Sequence, residues 1–306
     1  MAQIVSSAVR DVVRLVVVDL DGTLLNSQGQ VSEEDTRELL RIHEAGVMVA
    51  IATGRIPQFF KDVLDMLGFS PILICSNGAL VMIPGRSEPV IDVHIDQGVS
   101  MEILTFLKSA PRYHHIYTTV GEVIRDARFP LPGYSNHVST RASLDIPALV
   151  KCENLKVRKI GIRVERSEQG PLISYLNDRW GKWVNVWSTG PKTVEVVAAG
   201  CSKRRALDEV LAILGLELSD VMAIGDAESD IELLKAVGYP VAMGNSDANT
   251  KEAAKFVTKS NDESGVAFAL RYFIPNCADP IAATRLLDSQ DESKHSWSRS
   301  SRRPGQ

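Results

Sequence analysis

Leu15-Val16-Val17-Val18-Asp19-Leu20-Asp21-Gly22-Thr23-Leu24 is the stretch from which the fold is read. Three consecutive valines and no helical period mark residues 15–18 as a buried strand. Gly22 just beyond it marks a turn. Asp19 and Asp21 then stand at the carboxyl end of a buried strand, where open α/β sheets carry their ligands. They are two residues apart, so if strand geometry persists both side chains point toward one spot. Two like charges aimed at one point repel unless a cation or a proton intervenes. A hard divalent ion such as Mg²⁺, with a phosphate beside it, satisfies that requirement. The same residues also suit an ordinary strand end and polar turn.

Working outward, the pattern repeats. The apolar run at residues 47–51 ends at Thr53-Gly54-Arg55, and that at 221–224 ends at Gly225-Asp226-Ala227-Glu228-Ser229-Asp230. A further run, Ile72–Cys75, ends at Ser76-Asn77-Gly78. Helical patterns lie between the runs. Ser32 is an expected N-cap with an acid three residues on, and Gly46 an expected stop. Pro57 suits a first helical position, and Phe59 and Phe60 read as core residues of the helix that Gly68 ends. Ser202 is an expected N-cap for a helix opened by Lys203, whose charge adds to the positive end of the helix dipole. Strands alternating with helices predict a doubly wound, parallel, Rossmann-like α/β sheet.

The ordered set DLDGT, TGR, the lysine of SKRRAL and GDAESD resembles the haloacid dehalogenase-like hydrolases, in particular their Cof-type sugar-phosphatase branch. Val241-Ala242-Met243-Gly244-Asn245 and Gly265-Val266-Ala267 resemble that branch too, and the resemblance spans roughly residues 12–274. It implies a core domain at residues 12–83 and 194–275 and an inserted α+β cap at residues 84–193. It also implies a Mg²⁺-dependent phosphatase acting on a small phosphorylated metabolite, with a sugar phosphate as the expected substrate. Asp19 is then the nucleophile that forms an aspartyl-phosphate, and Asp21 the group that protonates the leaving alcohol and later accepts a proton from water. Asp19, Asp226 and the Asp21 carbonyl are the implied Mg²⁺ ligands, with Asp230 behind them or assisting directly. Thr53, Gly54 and Lys203 are the implied phosphate holders, and Asn77-Gly78 lines the rim.

Two positions depart from the family pattern. Ser229, expected to touch phosphate from the first turn of a helix, stands where asparagine is usual. Arg204 stands where glycine follows the motif lysine, and is expected to place a charge near the cap.

Within residues 84–193, strand-like runs at 115–119, 122–125, 157–164, 184–187 and 193–197 alternate with helical stretches near 99–108 and 169–180, and residues 129–147 read as loop. Because this insert separates Thr53 from Lys203, it is expected to fold as a unit over the site, as a lid that excludes water and contacts the rest of the substrate. His114, His115, Arg125, Arg128 and Trp187 are the candidates for that contact.

The 306 residues suffice for two domains, and the hydrophobic and charged fractions of 44% and 24% are those of an ordinary globular chain. The net charge of −4 argues against nucleic acid as partner. Four scattered cysteines without a C-x-x-C pair fit a reducing compartment, and no apolar run is long enough to span a membrane. A cytoplasmic enzyme is expected, the alternative being an organelle reached through a removed leader, though the first ten residues are short for one. Residues 276–306 read as a disordered, solvated tail. On the residues alone a catalytically weak binding protein on the same fold and a phosphomutase remain open, and the oligomeric state is not readable.

Overall fold

The protein is seen in a computed structural model that describes residues 13–110, 112–129, 139–190 and 192–275. The chain first lays down β1 (Leu15–Asp19), α1 (Glu33–Glu44), β2 (Met48–Ala52), α2 (Lys61–Leu67), β3 (Ile72–Cys75), β4 (Leu80–Met82) and β5 (Ile91–Asp92). It continues through α3 (Gln97–Ser109), β6 (His114–Thr118), β7 (Val123–Asp126), β8 (Thr140–Ser143), α4 (Ile146–Cys152), β9 (Val157–Arg163), α5 (Arg166–Trp180), β10 (Val184–Ser188) and β11 (Thr193–Ala198). It closes with α6 (Lys203–Leu214), β12 (Val221–Gly225), α7 (Ile231–Ala236), β13 (Tyr239–Ala242), α8 (Ala248–Glu252), β14 (Phe256–Val257) and α9 (Gly265–Phe273).

Two sheets result. The first has the order β14-β13-β12-β1-β2-β3-β4-β5 and is parallel from β14 to β3. The strand order reverses beside β1, so β1 and β12 flank the crevice where doubly wound sheets bind ligands. The period of two in β1 fills both faces. Val16 and Val18 join the cluster covered by α1, α2 and α9, while Leu15 and Val17 join that covered by α6 and α7. The local signals work as read: Ser32 Oγ accepts from Asp35 N at 3.0 Å, and Ser202 Oγ accepts from Arg205 N at 3.2 Å. Pro57 begins a single 3₁₀ turn, Pro57–Phe60, rather than α2 itself. Phe60 is buried in the core, whereas Phe59 meets the Tyr117 ring of the insert edge-on at 5.9 Å.

The second sheet has the order β10-β11-β9-β6-β7-β8 and is antiparallel except at β7–β8. Its apolar core includes Ile103 and Leu107 of α3, Val150 of α4, and Leu172 and Leu176 of α5. The expected boundaries need correction at both ends. Ile91 and Asp92, expected in the insert, belong to the first sheet: β4 pairs back on β3, and β5 on β4, forming an antiparallel edge. Strands of two or three residues are too short for a period to be read. At the other end, residues 194–198 belong to β11, which pairs with β9 and β10 in the second sheet. Its alternation is that of any buried strand and does not tell which sheet it joins. The stretch expected to be loop also holds β8. The calls on the N-terminal residues and on the 276–306 tail lie outside the described residues. Among the described residues, no helix is long and apolar enough to cross a membrane.

Candidate active site

Strand register assembles the site. Asp19, the last residue of β1, pairs with Ala52, so Thr53 emerges beside it. On the other flank Val18 pairs with Ile224, so Gly225 and Asp226 follow at the same level. Lys203 reaches in from the first turn of α6. Its Nζ donates to Asp19 Oδ1 at 2.5 Å and to Asp230 Oδ1 at 2.7 Å, and all three side chains are buried. Asp230 Oδ2 accepts the main-chain N–H groups of Asp226 and Ala227, each at 3.2 Å. Both oxygens of Asp230 are thus bonded to protein donors, and its work is to hold the lysine and the turn that carries Asp226.

Asp19, Asp226 and Asp230 each present a carboxylate oxygen, all within 4.8 Å of one another. One lysine cannot balance three carboxylates. Burial, reinforced by Asp230 and Asp226, pushes the Asp19 carboxyl well above the usual range despite Lys203. Burial likewise lifts Asp226 to about 6. Burial alone would lower the Lys203 ammonium, but Asp19 and Asp230 outweigh it and hold it above the usual lysine range. A pocket of carboxylates that resists full ionisation suits a hard cation. Asp226 is aimed by Thr23, whose Oγ1 donates to Asp226 Oδ1 at 2.9 Å. Asn245 Nδ2, from the stretch after β13, donates to the Gly22 carbonyl at 2.8 Å.

Asp21 departs from the expected convergence with Asp19. Its carboxylate is exposed and accepts from Arg55, through Nε at 2.9 Å and also through Nη2. The strand ends at Asp19, and the chain turns back so that Leu25 N donates to Leu20 O at 2.8 Å. Strand alternation therefore does not extend to residue 21. Ser229 is half-buried on a 3₁₀ turn, Glu228–Asp230, that precedes α7 rather than on a helical first turn. Arg204 pairs along α6 with Asp208.

Thr53 is buried, and its Oγ1 accepts from Arg55 N at 3.1 Å. The insert reaches this loop. Lys159 Nζ donates to the Gly54 carbonyl at 2.6 Å and to Glu195 Oε1 at 2.5 Å, and Glu195 Oε2 accepts from Asn77 Nδ2 at 2.8 Å. Sequence reasoning missed Lys159 and Glu195. The available signal was Glu195 as the one charge of the strand Thr193–Ala198, and Lys159 as one of three cations, with Arg158 and Arg163, in the strand Val157–Arg163.

Three of the five insert candidates share one cross-strand row: Trp187 pairs with Glu195, Glu195 with Gly161, Gly161 with His115, and His115 with Arg125. Residues so paired lie on one face of the sheet. Burial and Lys159 push His115 down to about 3, so it is a neutral imidazole. His114 and Arg128 do not belong to that row: His114 Nδ1 donates to the Arg112 carbonyl at 3.2 Å, and Arg128 grips Asp126 at 2.5 Å.

Residues 16–270 match the haloacid dehalogenase-like hydrolase family. A 5-amino-6-(5-phospho-D-ribitylamino)uracil phosphatase of Bacillus subtilis is 29% identical over 86% of this chain and 96% of its own length. A putative phosphatase of Streptococcus pyogenes is 30% identical over 86% of this chain and 99% of its own. The crystal structure of a haloacid dehalogenase-like hydrolase from Bacteroides thetaiotaomicron superposes with a TM-score of 0.73 at 27% identity, covering 85% of this chain and 99% of that one. The chain belongs to the haloacid dehalogenase-like hydrolases and stands among their phosphatases, enzymes that hydrolyse phosphoric monoesters.

Proposed function

We propose that this chain is a Mg²⁺-dependent phosphatase that hydrolyses a small phosphorylated metabolite, a sugar or sugar-alcohol phosphate, through an aspartyl-phosphate on Asp19. The observation that carries the reading is the set of buried Asp19, Lys203 and Asp230 with half-buried Asp226, beside the Thr53-Gly54 loop. The substrate class draws on the Bacillus relative, whose name gives a phospho-D-ribityl compound. The unpaired cysteines Cys75, Cys152 and Cys201 fit a cytoplasmic setting.

Asp19 attacks the phosphorus in line. The bond from phosphorus to the ester oxygen breaks, and Asp21 gives its proton to the departing alkoxide. Asp21 then takes a proton from water, whose oxygen attacks the aspartyl-phosphate. The bond from phosphorus to Asp19 breaks, and inorganic phosphate leaves. Lys203, the Thr53 hydroxyl and the Gly54 N–H hold the phosphoryl oxygens and favour their developing charge. Asp19, Asp226 and the Asp21 carbonyl would hold Mg²⁺, which when bound supplies positive charge to those oxygens and offsets the excess of carboxylate. Asp21 must leave Arg55 to act, and its exposure leaves it room to turn.

Purified protein assayed on a panel of phosphate esters, with Mg²⁺ and with excess chelator, tests this. Inorganic phosphate should appear with sugar phosphates, and only with the metal. Silence across the panel, or full activity in chelator, overturns it.

A further inference from the structure

We propose that Lys159 of the insert is a positioning residue for the loop Thr53-Gly54-Arg55, held in place by Glu195 and Asn77. This rests on the reading of that loop as the phosphate holder. The case is a closed ring of hydrogen bonds. Lys159 Nζ donates to the Gly54 carbonyl at 2.6 Å. The N–H of that same peptide, on Arg55, donates to Thr53 Oγ1 at 3.1 Å. A hydroxyl that accepts from within the loop has its one proton left to donate outward, toward a phosphate oxygen. One peptide plane therefore links the lysine to the orientation of the threonine hydroxyl.

The ring closes through the other side. Glu195 accepts from Lys159 at 2.5 Å and from Asn77 Nδ2 at 2.8 Å, and Asn77 N donates to the Thr53 carbonyl at 3.1 Å. Lys159 is 1% exposed, with the Tyr117 ring centroid 4.4 Å from its Nζ. Gly54 is enclosed: a β-carbon there would stand 3.1 Å from both Asn77 Oδ1 and Glu195 Oε2. The segment that supplies Asn77 is strained, with Ser76, Asn77 and Gly78 all left-handed at φ 50°, 54° and 91°. Such backbone persists only where the surroundings over-determine it, and it clusters at functional sites. A buried ion pair by itself is weak evidence for stability, so fixing the loop is the better account of this one. The consequence is that the insert completes the phosphate site whatever the substrate's leaving group, through two residues that need not touch substrate.

The test compares wild type with Lys159→Met and with Lys159→Met/Glu195→Leu. The double variant leaves no uncompensated buried charge, so it should fold even where the single one does not. Two quantities are read: the inhibition constant of inorganic phosphate against a small aryl phosphate, and amide hydrogen exchange in the peptide spanning residues 52–56. The expected result is inhibition by phosphate weakened about tenfold or more, as for loss of a charge-assisted contact. Exchange at residues 52–56 should speed up by a similar factor while that of β1 stays unchanged. A folded double variant with wild-type phosphate inhibition and wild-type exchange overturns the proposal and leaves the phosphatase reading standing. A wild type inert toward all esters overturns that reading instead, and exchange at 52–56 still decides the role of Lys159.

Discussion

A β-carbon placed on Gly22 would stand 2.3 Å from Asp226 Oδ2, and Gly22 holds a φ of +79°. The glycine is therefore fixed twice, by backbone conformation and by the carboxylate that folds over it. Gly22→Ala should cost about 1–2 kcal/mol for the left-handed backbone alone. It should also displace Asp226 from its bond to Thr23. Turnover is expected to fall by about two orders of magnitude, with the Mg²⁺ concentration for half-maximal activity raised. A variant that folds and titrates with Mg²⁺ as wild type does would detach Gly22 from the site.

Asp21 stands against Arg55 rather than Asp19. Its assignment as the proton donor can be separated from a role in holding phosphate by changing the leaving group. Asp21→Asn should slow hydrolysis of alkyl phosphates by about 10²–10⁴, the usual worth of general acid catalysis. An aryl phosphate whose leaving oxygen needs no proton should show a much smaller loss in the first step. Equal losses on both ester classes would count against Asp21 as the acid.

The carboxylate pocket gives metal-free stability a defined pH dependence. Asp226 is lifted from 3.8 to about 6, mainly by burial. The folded state therefore keeps a proton that the unfolded chain releases near 4. Stability tied to this group is present below that point and is lost as pH rises through about 6. In chelator, the melting temperature of wild type relative to Asp226→Asn should fall between about pH 4.5 and pH 7. Mg²⁺, which binds the ionised carboxylate, should reverse the fall. A difference that is flat with pH, or that rises, would contradict the arrangement.

What the sequence could convey tracks the range of the interactions involved. Asp19, Lys203 and Asp226 were readable because each sits at a signalled end of an element, and parallel register brings those ends together. The Asp21 side chain was misplaced because its direction depends on where β1 stops. That is set by the return bond from Leu25 to Leu20 and not by local alternation. Arg204 finds a partner four residues along the helix, in Asp208. Lys159 and Glu195 meet Gly54 and Asn77 across 105 and 118 residues, and no periodicity encodes such a contact. Glu195 stood out as the one charge of its strand, which is a reason to look for a partner without saying where it lies, and Lys159 was one of three cations in its own.

Ser229 is one of the two places where the family pattern and this chain part, and it decides whether the catalytic reading or a binding-protein reading holds. It is half-buried on the 3₁₀ turn that Asp230 anchors through the N–H groups of Asp226 and Ala227. That anchoring does not use the residue 229 side chain, so the turn should tolerate either serine or asparagine. An asparagine amide donating to phosphate reaches further than a hydroxyl, and a water can bridge the shorter serine. The difference between a direct and a bridged bond is about 1 kcal/mol, or roughly fivefold in rate or affinity. The native protein should therefore be active, and Ser229→Asn should keep or modestly raise kcat/KM on small esters, with an unchanged melting temperature. Steady-state assays of both proteins on one ester panel check this. An inert native protein made active by Ser229→Asn would mark the serine as disabling, and the chain would then be a binder built on a phosphatase fold.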